Sequence, residues 1–305
     1  MRRPLLLSVL AAALVLAGCG GADEAAAPAA PAASAPAPSA SPTEAPSDPA
    51  EDPLGRTYLA LGDSLAAGYQ PGGTELRDSA YPALALSRLD RAGAELTLEN
   101  LACSGETTDS FLDGGKCDYA AGSQMAQAEA VLAERAGDVA LVSIDLGGND
   151  LLRCVRETAV DTACTKQGLA GVAENLPEIL DRLRAAAGQD VPVLVLGYYN
   201  PWLAASYLGE GEGQLDAATS AYTALDRAIT KAATEAGATP VPLTSAFKLD
   251  DATPTTFGGR EVPTNVAQVC TLTYICTAFD IHLTDEGAAV VGRVLAAAAT
   301  KAGVT

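Results

Sequence analysis

The sequence predicts an α/β fold in which a parallel sheet is covered by helices on both faces. Short apolar runs alternate with stretches of helical periodicity from Thr57 to the end of the chain. The apolar runs lack a polar alternation, as strands buried on both faces should. A hydrophobic fraction of 49% with only 5% aromatic residues supplies a core of mostly Ala, Val and Leu. The first fifty or so of the 305 residues do not read as a folded domain, and the remainder, about 250, suits one large α/β domain better than two small ones.

The chain opens with Arg2 and Arg3, followed by an apolar run from Leu5 to Ala17 that ends in Leu16-Ala17-Gly18-Cys19. That run is short for a membrane span and reads as a signal peptide of the bacterial lipoprotein kind, residues 1–18. Small residues before Cys19 allow cleavage there, and a thioether-linked diacylglycerol on its thiol would give two-chain anchoring. Residues 19–53 are Ala, Pro and Ser with six acids and no Lys or Arg, a composition that cannot bury a core and reads as a tether. The domain is expected over residues 54–305.

Within it, strands are predicted at Thr57–Leu61, Leu96–Leu101, Val139–Ile144, Val191–Leu196 and Thr239–Leu243. The last is interrupted by prolines and so belongs at an edge. Helical patterns lie at Pro82–Ala92, Ser123–Ala136, Leu169–Ala187, Leu215–Ala236 and Glu286–Ala302. Thr284 can cap the last helix, with Asp285 and Glu286 complementing its dipole. Gly209-Glu210-Gly211-Glu212-Gly213 follows no clear strand and carries acids where a phosphate would sit, so it reads as a surface loop.

Nineteen basic against 38 acidic residues give a net charge of -19. Removing the signal takes away two arginines, and the tether holds six acids, so about -15 remains on the folded part. This argues against nucleic acid and against electrostatic attachment to anionic lipid. Cys19 aside, six cysteines remain: Cys103, Cys117, Cys154, Cys164, Cys270 and Cys276. An even number in an exported chain suggests three disulfides with fifteen possible connectivities, of which sequential pairing is the most economical. No C-x-x-C occurs and His282 is the only histidine, so a metal site is not expected. Nothing indicates a repeated interface, and a monomer is expected.

In parallel sheets, sites form at the carboxyl ends of the strands. After the first strand stands Gly62-Asp63-Ser64-Leu65, after the second Ala102-Cys103-Ser104-Gly105, after the third Gly147-Gly148-Asn149-Asp150, and before the last helix Asp280-Ile281-His282. A hydroxyl nucleophile, an imidazole to take its proton, and amide donors for an oxyanion are the parts that acyl transfer requires. Asp63 and Asp150 read as acids that bond loop backbone. Tyr198, Tyr199 and Trp202, after the fourth strand, are candidates for an acyl pocket or for core packing. The chain has neither a phosphate-binding G-x-x-x-x-G-K-[ST] nor a G-x-S-x-G elbow.

At these residues the sequence resembles the GDSL, or SGNH, hydrolases. All four blocks occur in the family's order, over nearly the whole domain from Tyr58 to about Val294. The resemblance implies a flavodoxin-like three-layer α/β/α sandwich with a central parallel sheet of about five strands. It makes Ser64 the nucleophile and His282 the base, with an oxyanion hole formed by Ser64 N–H, Gly105 N–H and the Asn149 side chain. It implies no cofactor. One departure is visible: the family's Asp-x-x-His-Pro is replaced by Phe279 three residues before His282, Asp280 two before it, and Leu283 after it. Asp280 or a backbone carbonyl is then the candidate to orient the ring.

The function expected is a lipid-anchored, extracytoplasmic esterase or lipase acting on small-molecule or lipid esters. The alternatives are acyl transfer at the same site, or a catalytically silent binding lipoprotein. A binding module would more often carry aromatic platforms.

Overall fold

A computed structural model describes residues 56–156, 159–209 and 212–305. The predicted signal, the tether and Cys19 lie outside them. Five parallel strands form the central sheet: β1 (Thr57–Gly62), β2 (Thr97–Asn100), β3 (Val139–Asp145), β4 (Val193–Leu196) and β5 (Thr239–Val241). Their order is β2-β1-β3-β4-β5. That is the doubly wound flavodoxin-like order, with its switch point between β1 and β3. As Pro240 suggested, β5 lies at an edge.

Side chains alternate across the sheet. Tyr58, Ala60, Leu141, Leu194 and Leu196 enter one apolar core, while Leu59, Leu61, Val142, Ile144, Val193 and Val195 enter the other. Both cores are closed by helices, which is why the strands carry no polar face. After β1 comes a short helix, α1 (Ser64–Ala67), and then α2 (Tyr81–Arg91); beyond β2 come α3 (Gln124–Glu134), then α4 (Gly148–Leu152) and α5 (Thr162–Ala187) after β3. After β4 comes α6 (Glu212–Glu235), and α7 (Asp285–Lys301) ends the fold. The first core is covered by α2 and α7, which approach closely at Gly292, where a Cβ would meet the carbonyl of Tyr81 at 2.9 Å. Helices α3, α5 and α6 cover the second.

Several boundaries differ from the sequence reading. Helix α5 begins seven residues before Leu169, because Asp161 accepts bonds from the N–H groups of Ala163 and Cys164 and caps it there. Helix α6 already includes Glu212 and Gly213, so the expected glycine-rich loop is shorter at its C-terminal end. Three small antiparallel hairpins and a helix at Thr264–Leu272 were not anticipated. Ser123 caps α3 and Thr284 caps α7 through their hydroxyls. The cysteines pair in sequence, Cys103–Cys117, Cys154–Cys164 and Cys270–Cys276. Each bridge closes a short loop, for which the chain-entropy estimate is about 2–3 kcal/mol. Such bridges fit an exported protein. Among the described residues no helix is long and apolar enough to cross a membrane.

Candidate active site

Ser64 is the first residue of α1, directly beyond the carboxyl end of β1. The turn is possible because Gly62 has φ +130° and no side chain: a Cβ there would come within 1.7 Å of Asp145 Oδ1, its partner across the β1–β3 ladder. Asp63 caps α1 by accepting from Leu65 N at 2.9 Å, while its own N–H donates to Asp145 Oδ1 at 2.9 Å. The hydroxyl of Ser64 lies 2.9 Å from His282 Nε2. On the other side of the ring, Nδ1 lies 2.5 Å from Asp280 Oδ1, and the same oxygen accepts the His282 backbone N–H at 2.8 Å. The imidazole is 4.3 Å, centroid to centroid, from the Tyr69 ring. Ile281 just before it is tied by its carbonyl, which accepts from the Tyr199 hydroxyl.

Gly105 follows β2 with φ +81°, and its backbone N–H, like that of Ser64, donates to no acceptor among the described residues. Its missing side chain leaves space for Lys116, whose Cε would be 2.5 Å from a Cβ on Gly105. Asn149, at the start of α4, donates through Nδ2 to the Glu106 carbonyl at 3.0 Å and to Asp63 Oδ2 at 3.3 Å. Ser64, Gly105, Asn149, Asp280 and His282 thus all lie at one end of one sheet.

The model for the GDSL-like lipase/acylhydrolase family matches residues 60–290. The chain belongs to that family. It is a carboxylic ester hydrolase. No curated protein sequence matches it. Among solved structures it is similar to the extracellular lipase from Streptomyces rimosus, at 21% identity, 80% of this chain and 98% of that one, with a TM-score of 0.53. The putative arylesterase from Agrobacterium tumefaciens is another, at 20% identity, 81% and 99% coverage, and a TM-score of 0.49. At such identity the first likeness speaks for the shared α/β/α fold.

In this acylhydrolase the acidic residue before His282 is Asp280, one position nearer the histidine than the aspartate of the usual family pattern. Asp280 reaches Nδ1 because the chain turns on itself at that residue, its carboxylate accepting from the backbone two residues on. Phe279, in the position where the family pattern has its acid, is 77% exposed with φ +54°.

Behind Ser64 lies a polar layer that the motifs did not reveal. The buried Gln124 side chain pairs with Gly62 as a peptide group would: Oε1 accepts from Gly62 N at 2.7 Å, and Nε2 donates to Gly62 O at 3.0 Å. Its Nε2 also donates to Glu106 Oε2 at 2.9 Å, which links the turn bearing Ser64 to the turn bearing Gly105. Gln124 stands at a helix start, where polar residues are ordinary, so no pattern marks it.

Asp63 accepts from the Tyr198 hydroxyl at 2.7 Å, and burial pushes its carboxyl up to about 6. Asp145 is buried, its Oδ2 makes no hydrogen bond among the described residues, and burial with the Asp63 charge holds its carboxyl well above the usual range. Asp150 takes both donors of Thr108, backbone N at 3.0 Å and hydroxyl at 2.7 Å, so it bonds backbone at the start of the short helix Thr108–Asp113 and not in a loop as expected.

Proposed function

We propose that this acylhydrolase is a serine esterase of the extracytoplasmic face, in which Ser64, His282 and Asp280 act in sequence on a carboxylic ester. The observation that carries the reading is the unbroken chain from Ser64 Oγ through both ring nitrogens of His282 to Asp280. With the proton on Nδ1 facing the carboxylate, Nε2 is free to accept from the serine hydroxyl. Ser64 Oγ attacks the ester carbonyl as its proton passes to Nε2. The oxyanion receives the N–H groups of Ser64 and Gly105, and the Asn149 amide exchanges its longer contact with Asp63 for the new charge. Collapse of the tetrahedral species transfers the Nε2 proton to the leaving alcohol and leaves an acyl group on Ser64. Water, deprotonated by the same imidazole, then releases the acid and restores the hydroxyl.

The domain division at residues 18 and 53 and the lipid on Cys19 belong to the same proposal. Their support is the basic, apolar and small-residue order before Cys19, and the fact that the other six cysteines are all paired. The test is hydrolysis of p-nitrophenyl esters by the full chain beside its Ser64→Ala and His282→Ala variants. Turnover that falls by at least about 10³-fold in both supports the reading. Equal turnover in the Ser64→Ala protein would sink it.

A further inference from the structure

A small cavity at Ser64 shares two lining residues with a second small cavity. The first touches Ser64 itself and is walled by Leu65, Leu152, Pro201, Tyr222 and Ile281, besides the polar groups already described. Its volume is about 20 Å³, far below the roughly 300–1,000 Å³ of a pocket that encloses a drug-sized ligand, so it takes a short group. The second cavity, of about 10 Å³, is walled by Val155, Val160, Trp202, Ala218 and Ala221.

Leu152 and Tyr222 line both and so form the partition between them. They come from different elements, Leu152 from the end of α4 and Tyr222 from within α6. Val155 and Val160 on the far side belong to the hairpin that precedes α5, inside the loop closed by Cys154–Cys164. A third space at Ser64, on the side of Tyr69 and Gln70, is lined in part by polar groups such as the Ser79 and Gln70 side chains. An acyl tail is matched by the apolar cavity, and an alcohol moiety by the polar one.

Resting on the serine-esterase reading, we infer that the site is built for short acyl groups, and that Leu152 and Tyr222 are the specificity-determining wall. A longer chain must displace that wall, whereas removing Leu152 joins the two cavities into one apolar slot running toward Trp202, and removing Tyr222 also opens the first toward a larger space of about 320 Å³ bordered by Asn200, Thr219 and Asp226. Mismatch by a single methylene in such a pocket changes rates about 10–200-fold.

The experiment is kcat/KM of the full chain on p-nitrophenyl acetate, butyrate and octanoate, repeated with Leu152→Ala and Tyr222→Ala. The wild type is expected to favour acetate over octanoate by at least about 10-fold, and either variant to raise the octanoate-to-acetate ratio by about 10-fold or more. A wild type that prefers octanoate would overturn the inference, as would an unchanged ratio in variants that still cleave acetate. Should the variants fail to fold, the inactivation rates of the wild type by p-nitrophenyl ethyl- and octylphosphonates decide alone: faster ethylphosphonate supports the wall, faster octylphosphonate removes it. Absence of turnover on every ester would instead strike at the serine-esterase reading, so the two failures are distinguishable.

Discussion

Asp280 holds His282 through a single oxygen that accepts from both the ring and the backbone N–H, so ring angle and loop shape are set together. An amide at this position can offer its nitrogen to Nδ1 and favour the wrong tautomer. Asp280→Asn is therefore expected to lower kcat by about 10²- to 10⁴-fold with KM little changed, measured by steady-state kinetics. The neighbouring Phe279 sits in the left-handed region with its ring in solvent, so it gains little burial against a backbone cost of about 1–2 kcal/mol. Phe279→Gly should keep or raise the melting temperature; a clear drop in a thermal melt would show that the ring makes a stabilising contact. Asp63 carries a pH signature. Its folded carboxyl, raised by burial to about 6 from 3.8, keeps a proton that the unfolded chain has released. The folded chain then binds more protons than the unfolded one between those values, and stability falls as pH rises through about 6. The raised carboxyl of Asp145 acts in the same direction. Urea denaturation from pH 4 to 7 should show a decline in the wild type that is shallower in Asp63→Asn.

The histidine loop is an element stitched from several sides. Tyr274 N donates to the His282 carbonyl at 2.9 Å, Thr284 N donates to the Leu272 carbonyl at 3.0 Å, and Cys270–Cys276 closes the segment just before it. At Gly287 a Cβ would stand 2.0 Å from Leu272 O, so α7 can press against this segment only through a glycine. Replacing both Cys270 and Cys276 by Ser is expected to cost about 2–3 kcal/mol. It should also lower kcat, because the loop that carries His282 loses its brace. Unchanged kcat at reduced stability would mean that the hydrogen bonds alone position the loop. At this scale the sequence was partly legible. The five strands and five main helices follow from apolar periodicity, with the Thr284 cap marking a helix start. The two-residue hairpins were not, since two paired residues carry no period. The first turns of α5 were hidden too, because Cys164 and its neighbours read as a disulfide-closed loop until Asp161 is seen capping them.

For the whole molecule, the sheet order explains why residues 64, 105, 149 and 282, far apart in sequence, were legible as one site. Each follows a strand or precedes a helix at the same edge of the sheet, around the point where the winding reverses. The polar layer of Gln124, Glu106 and Asp145 was not legible, because its members meet only through tertiary packing. The full chain is expected to partition into the detergent phase of a phase-separation assay, and a Cys19→Ala variant into the aqueous phase. Detergent partitioning unaffected by Cys19→Ala would contradict the lipid anchor. The most direct test of the serine-esterase account is intact-mass and peptide-mapping analysis after treatment with a fluorophosphonate. The account predicts one adduct, on the peptide bearing Ser64, absent in Ser64→Ala and formed far more slowly in His282→Ala. An adduct on another residue, or ester hydrolysis that persists after Ser64 is fully modified, would contradict it.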